Sequence, residues 1–133
     1  MGNVVKWEKL PLFDALNFDF SYDEEQRTCS ITAHVNEWML NPLGTVHGGM
    51  YVYLADTAMG HALHHFEKDA FVALDLNSHF YEGKTEGKLT ATASVVKRGY
   101  KICFMKSEVR DEAGVLVAEV SGSFYRKKAK TNG

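Results

Sequence analysis

An α+β fold, with one long helix packed against a single curved antiparallel sheet, is predicted by three features of the chain. From residue 48 to residue 66 there is no proline, and Val52, Ala55, Met59, Ala62, Leu63 and Phe66 recur at three- and four-residue spacing, the stripe of an amphipathic helix. Two alternating segments precede it. Four segments rich in β-branched and aromatic residues follow it, punctuated by polar, Gly-containing turns. The resulting order is β-β-α-β-β-β-β.

Each element has its own signal. Pro11 stands at a plausible first helical position, with Leu10, Phe13 and Leu16 three apart, which predicts a short helical turn over residues 10–16. Phe18, Phe20 and Tyr22 alternate with polar residues, as do Ile31, Ala33 and Val35 after the polar stretch 24–27, so a hairpin of two half-buried strands is expected. Strands are expected over residues 71–81, 89–96, 100–109 and 115–125, joined in sequence as an antiparallel meander. In the last strand Leu116, Ala118, Val120, Gly122 and Phe124 share one face, and Glu119, Ser121 and Ser123 share the other. The basic residues Arg126, Lys127, Lys128 and Lys130 read as a frayed tail over 126–133 of one domain spanning 1–133.

Composition narrows the function. The chain has 133 residues, 45% hydrophobic and 24% charged, enough for a core without disulfide or metal staples. Fifteen Lys and Arg against seventeen Asp and Glu give a net charge of -2, which argues against nucleic-acid or anionic-membrane binding through the field of the whole molecule. Cys29 and Cys103 are isolated and read as reduced thiols, so a cytoplasmic address is expected, with no apolar run of signal-peptide or membrane-span length.

The chemistry concentrates before and along the long helix. Asn41-Pro42-Leu43-Gly44 has the residue pattern of a type I turn and stops the chain ahead of the helix. Gly48 and Gly49 then fall where the first helical N–H groups have no intrahelical partner. Glycine there either permits close packing of the helix or lets a ligand oxygen reach backbone donors at the positive end of the helix dipole. Eight residues on, Asp56 borders the apolar stripe, where partial burial leaves a poorly hydrated carboxylate suited to act as nucleophile or as general base for water. Eight residues also mean about 12 Å along the axis, so one helix cannot deliver both groups to one carbonyl. A two-fold oligomer could, and a dimer or dimer of dimers is expected.

Asn41-Pro42-Leu43-Gly44-Thr45-Val46-His47-Gly48-Gly49, followed by Leu54-Ala55-Asp56-Thr57-Ala58, resembles the signature of hotdog-fold acyl-CoA thioesterases of the phenylacetate-degradation type. The resemblance is specific over residues 41–60 and looser through Asp75-Leu76-Asn77, Arg98-Gly99 and 114–118. It implies a hotdog fold and hydrolysis of acyl- or aryl-CoA thioesters without metal or organic cofactor, coenzyme A being part of the substrate. It further implies that Asp56 attacks the carbonyl or activates water, that the Gly48 amide polarises that carbonyl, and that Asn41 and His47 border the reaction centre. Gly49 and Thr57 are carried over as substrate-contacting positions. Ala73 is a departure, since relatives carry a hydroxyl residue there that helps hold water.

Arg98, Gly99 and Lys101, with Lys97, form a basic turn that either is simply solvated or clasps the phosphates of coenzyme A. His61, His64 and His65 lie away from the Val52 stripe and read as solvated or subunit-contact residues, not as a metal site. A hotdog hydratase or dehydratase, and a non-catalytic acyl-CoA binding module, are the alternative functions.

Overall fold

The computed structural model describes residues 7–127. A short helix α1 (Pro11–Ala15) leads into strands β1 (Asp19–Asp23) and β2 (Thr28–His34), then a single 3-10 turn at Glu37–Met39 and the long helix α2 (Gly48–Glu67). Strands β3 (Ala70–Phe80), β4 (Lys88–Arg98), β5 (Ile102–Asp111) and β6 (Leu116–Lys127) complete the chain. All six strands form one antiparallel sheet, in the order β1-β2-β4-β5-β6-β3. A curved sheet around one central helix is the hotdog arrangement.

The wrap depends on small residues. Ala33, Ala91, Ala93 and Ala118 point inward from the sheet and are fully buried, opposite Ala55, Ala58 and Ala62 of α2. Short side chains on both surfaces let the strands close around the helix, while Ile31, Met59, Leu63, Met105, Val109 and Val120 fill the space between. α2 is therefore buried well beyond the stripe seen in the sequence: Tyr51, Leu54, Thr57 and His61 are buried too, whereas Val52 and Phe66 are only half-buried.

Two expectations are corrected. The last four strands are not a sequential meander, because β3 pairs with β6 (Val72 opposite Tyr125, Phe80 opposite Ala118) and not with β4. α2 crosses the whole sheet after β2, so the chain emerges at the far edge, and the connection from β3 to β4 must return across the N-terminal end of α2. That return is held by backbone bonds from Val46 N–H to the Lys84 carbonyl (2.7 Å) and from Val35 N–H to the Gly87 carbonyl (2.8 Å). The Tyr51 hydroxyl adds to it by donating to the Glu82 carbonyl. The second correction concerns the C-terminus: Arg126 and Lys127 extend β6, and Lys128 and Lys130 lie outside the described residues.

Arg126 is held because its guanidinium meets Asp69 and, at 3.1 Å, Glu67 at the end of α2. Arg98 (2.7 Å) and Arg27 (3.3 Å) converge on the same Glu67 carboxylate, whose side chain is only 2% exposed. Burial alone pushes this carboxyl up, but hydrogen bonds and charge from Arg98 and Arg126 more than offset it and hold it below the usual glutamate range. A folded-state value below the unfolded one stabilises the fold above the ordinary glutamate pKa, and that contribution is lost as pH falls through the lowered value. Glu67→Gln should cost about 2 kcal/mol in urea unfolding at neutral pH, less than a fully enclosed pair because Arg27 and Arg98 remain hydrated, and should flatten the acid limb of stability against pH.

Candidate active site

The loop before α2 is shaped by Asn41. Its Oδ1 accepts the N–H groups of Leu43 (2.9 Å) and Thr45 (3.2 Å), and its Nδ2 donates to the Thr45 hydroxyl (2.9 Å). The Asn41 N–H bonds the Thr45 carbonyl, and Gly44 turns the loop with φ of +85°. An Asx-type turn of this kind fixes where the helix begins. Most of the Asn41 amide is thereby occupied within its own loop.

His47 caps α2. Its backbone is extended, and its Nδ1 accepts the Gly49 N–H at 3.1 Å, which assigns the tautomer with the proton on Nε2. The Met50 N–H bonds the His47 carbonyl. Gly48 is left with no acceptor for its N–H among the described residues, and it faces a cleft of about 250 Å³ lined by Val46, Gly48, Tyr51, Phe80 and Tyr81. The two glycines thus differ: Gly49 has its donor consumed, while Gly48 offers an open donor at the positive end of the dipole. Packing also constrains Gly48, since a Cβ there would lie 3.2 Å from the half-exposed Phe80 ring.

Asp56 lies in the middle of α2 and is half-buried. No donor among the described residues reaches its carboxylate, and burial alone raises its pKa above the usual aspartate range. Asp56 does not line the Gly48 cleft. On a continuous helix of 20 residues the eight-residue interval again places the two groups about 12 Å apart along the axis. Thr57, next to it, is turned further into the core: it is buried, and its hydroxyl donates to the Tyr53 carbonyl at 2.6 Å.

At the other end of α2 the basic turn is partly engaged. Arg98 Nε donates to Glu67, and Gly99 is required because any Cβ would collide with the Ile102 carbonyl. Lys101 is exposed and borders a groove of about 260 Å³ shared with Tyr100, Tyr125, Arg126 and Lys127. Ala73 sits beside a bulge in β3, after which Asp75 accepts the Ser123 N–H and hydroxyl, at 3.0 and 2.6 Å.

Of the α2 histidines read as solvated or subunit-contact residues, His61 departs from that reading, while His64 and His65 are half-buried. His61 is buried, with Nδ1 on the Thr57 carbonyl (2.9 Å) and Nε2 on the Trp7 carbonyl (2.6 Å). His64 stacks on Trp7 at 3.6 Å, and His65 stacks on Tyr22 while meeting Glu24. The N-terminal aromatics Phe13, Phe18 and Phe20 fold over this face of the helix, which a helical-wheel projection of α2 alone could not reveal. The 3-10 turn bearing Trp38 was also missed; Asn36, whose Oδ1 accepts the Trp38 N–H, was the available cap signal.

The family model of the thioesterase superfamily matches residues 43–118, from the Asn41 loop through α2 into β6. A Vibrio cholerae relative, provisionally named an esterase, is 33% identical over 127 residues, covering 93% of this chain and 83% of its own. The PaaI protein from the phenylacetic acid degradation operon of E. coli superposes with a TM-score of 0.84 at 28% identity, over 93% of this chain and 89% of that one. A thioesterase from Haemophilus influenzae shares the fold with a TM-score of 0.84 at 24% identity, over 91% and 85% of the two chains. A helix N-terminus with an open glycine amide, an unpaired acid on the same helix and a matching sequence over more than half the chain lead to one conclusion: the chain belongs to the thioesterase superfamily, whose chemistry is hydrolysis of a thioester.

Proposed function

We propose that the substrate is an acyl- or aryl-coenzyme A thioester, and that Asp56 serves either as nucleophile or as general base for water. The observation that carries this reading is the state of Asp56: a half-buried carboxylate with its pKa raised and no donor to it among the described residues. The carbonyl oxygen, which gains negative charge in the transition state, is received by the open Gly48 N–H. Asn41 holds the loop that aims this amide, and His47 keeps Gly49 occupied while presenting Nε2–H outward. Gly49 acts through its lack of a side chain. Thr57 contributes to the wall of α2 and not through its hydroxyl. Lys101, with Arg98 and Gly99 shaping the turn, is the candidate contact for the phosphates of coenzyme A. The scheme uses protein groups and water.

The reaction centre is assembled between two copies of the chain. The amide of one protomer and the carboxylate of another supply what a single α2 separates by about 12 Å. β3 supports this arrangement: it is an edge strand of 11 residues with Val72, Leu74 and Phe80 exposed, the kind of edge that soluble proteins cover.

Three measurements test the proposal. Asp56→Asn should lower kcat on benzoyl-CoA or hexanoyl-CoA by about a hundredfold or more with the fold unchanged by circular dichroism; parent-like turnover removes Asp56 from the mechanism. Because the ionised form acts, kcat/KM should fall as pH drops through the raised Asp56 pKa, so the acid limb should lie above the usual aspartate range. A shared site also predicts complementation. When Asp56→Asn is unfolded and refolded together with an Asn41→Ala/His47→Ala chain, mixed dimers keep one intact site in two, and about a quarter of parent activity should return from two nearly inactive proteins.

A further inference from the structure

Beside the N-terminal half of α2 lies a cavity of about 510 Å³ that the catalytic scheme leaves unused. Its walls are Leu12 and Ala15 from α1, Leu16 just after it, Trp38 from the 3-10 turn, and Met50 and Tyr53 from α2. None of these side chains carries a charge. α1 is anchored through one face: Phe13 and Leu16 are buried, and the Phe13 ring packs 5.6 Å from Phe18 and 5.3 Å from Phe20. Leu12 and Ala15, three residues apart, are left turned toward the cavity and exposed to solvent. Trp38 is 76% exposed, although an indole is among the costliest side chains to leave in water.

Two of the residues that line the cavity, Met50 and Tyr53, climb α2 toward Asp56. Met50, Tyr53 and Asp56 are spaced i, i+3, i+6, so Tyr53 stands one turn from the carboxylate and Met50 about 9 Å from it along the axis. Burial and the charge of Asp56 both raise the Tyr53 hydroxyl pKa, which places that hydroxyl within reach of the carboxylate's field. The Tyr53 ring is fixed from behind by Phe18, at 5.8 Å, and Phe13, at 6.4 Å.

Resting on the thioester-hydrolase reading with Asp56 at its centre, we propose that this cavity receives the acyl part of the substrate and selects an uncharged acyl group of medium length, alkyl or aromatic, with Ala15 and Trp38 setting the limit. The reasoning is elementary. An acetyl group leaves most of a 510 Å³ space unfilled, whereas each further methylene buried there is worth roughly fourfold in affinity. A chain ending in a carboxylate meets no cation in these walls, so its charge is desolvated without a partner and it is rejected.

The test is a panel of acetyl-, butyryl-, hexanoyl-, benzoyl- and glutaryl-CoA on the full chain, run with Ala15→Trp, which fills the cavity, and Trp38→Ala, which removes a wall. Leu12→Trp serves as a second filler should Ala15→Trp fail to fold. In the parent, kcat/KM should climb from acetyl to hexanoyl and be lowest for glutaryl; benzoyl against hexanoyl separates aromatic from alkyl preference. The filler should cut the hexanoyl-to-acetyl ratio at least tenfold, mainly through KM. Calorimetric binding of S-hexyl- and S-methyl-CoA thioethers gives the same comparison without turnover. If thioesters are hydrolysed but the filler leaves the ratio unchanged, the cavity assignment is overturned and the hydrolase reading stands. If no thioester is cleaved while S-hexyl-CoA binding still depends on position 15, the catalytic reading falls and the acyl site stands. If the filler instead changes the oligomeric state on size-exclusion chromatography, the cavity is a contact between copies and the proposal is wrong.

Discussion

Enclosure of α2 by the sheet is the constraint on which the rest of the molecule depends. A sheet can curve around a helix only where the facing side chains are small, and the alanines at 33, 91, 93 and 118 meet those at 55, 58 and 62 for that reason. Once enclosed, the helix has few positions from which a polar group can reach water. Its N-terminus, at Gly48, is one. Asp56 occupies another, half-buried, where the wrapping leaves a gap. The raised pKa of Asp56 is therefore a consequence of the architecture: the same burial that holds the helix in place strips water from the carboxylate.

The two ends of α2 are treated in opposite ways. At its C-terminal end Arg27, Arg98 and Arg126 gather on Glu67, and Lys68 closes the helix in the left-handed conformation. At its N-terminal end a donor is deliberately exposed beside one that is capped. His47 shows how this is achieved, since a histidine at the cap position takes the Gly49 N–H and leaves its neighbour free. A serine or aspartate cap would satisfy the same donor more compactly, but would not present a second ring N–H to solvent.

Much of this was readable in the sequence because it is local. The 3.6-residue period of α2, the alternation in β6, the turn chemistry of Asn41 and Gly44, and the eight-residue interval from Gly48 to Asp56 all depend on neighbours along the chain. What escaped was non-local. The partner of β3 is chosen by where a helix 20 residues long delivers the chain, and no pattern within β3 records that. His61 looked outward on a wheel drawn for α2 alone, yet Trp7, Phe13 and Phe20 arrive from distant sequence to bury it. Arg98 read either as solvated or as an anion clasp, and its bond to Glu67, 31 residues away, left no local trace in the sequence.

The N-terminal segment links these observations. Phe13, Phe18, Phe20 and Tyr53 form one aromatic layer, so the same rings that cover His61 also fix the position of Tyr53, and α1 rides on that layer. The part of the chain with the weakest sequence signal is then the part that walls the space next to Asp56. Gly48 and Asp56, the groups proposed to act on the thioester, are placed by a long helix and an Asx-locked loop and are insensitive to small changes in packing. A cavity bounded by a five-residue helix and an exposed tryptophan is open to remodelling by single substitutions. In the proposed scheme chemistry and selectivity are therefore carried by different elements, the first rigid and enclosed, the second laid over its surface.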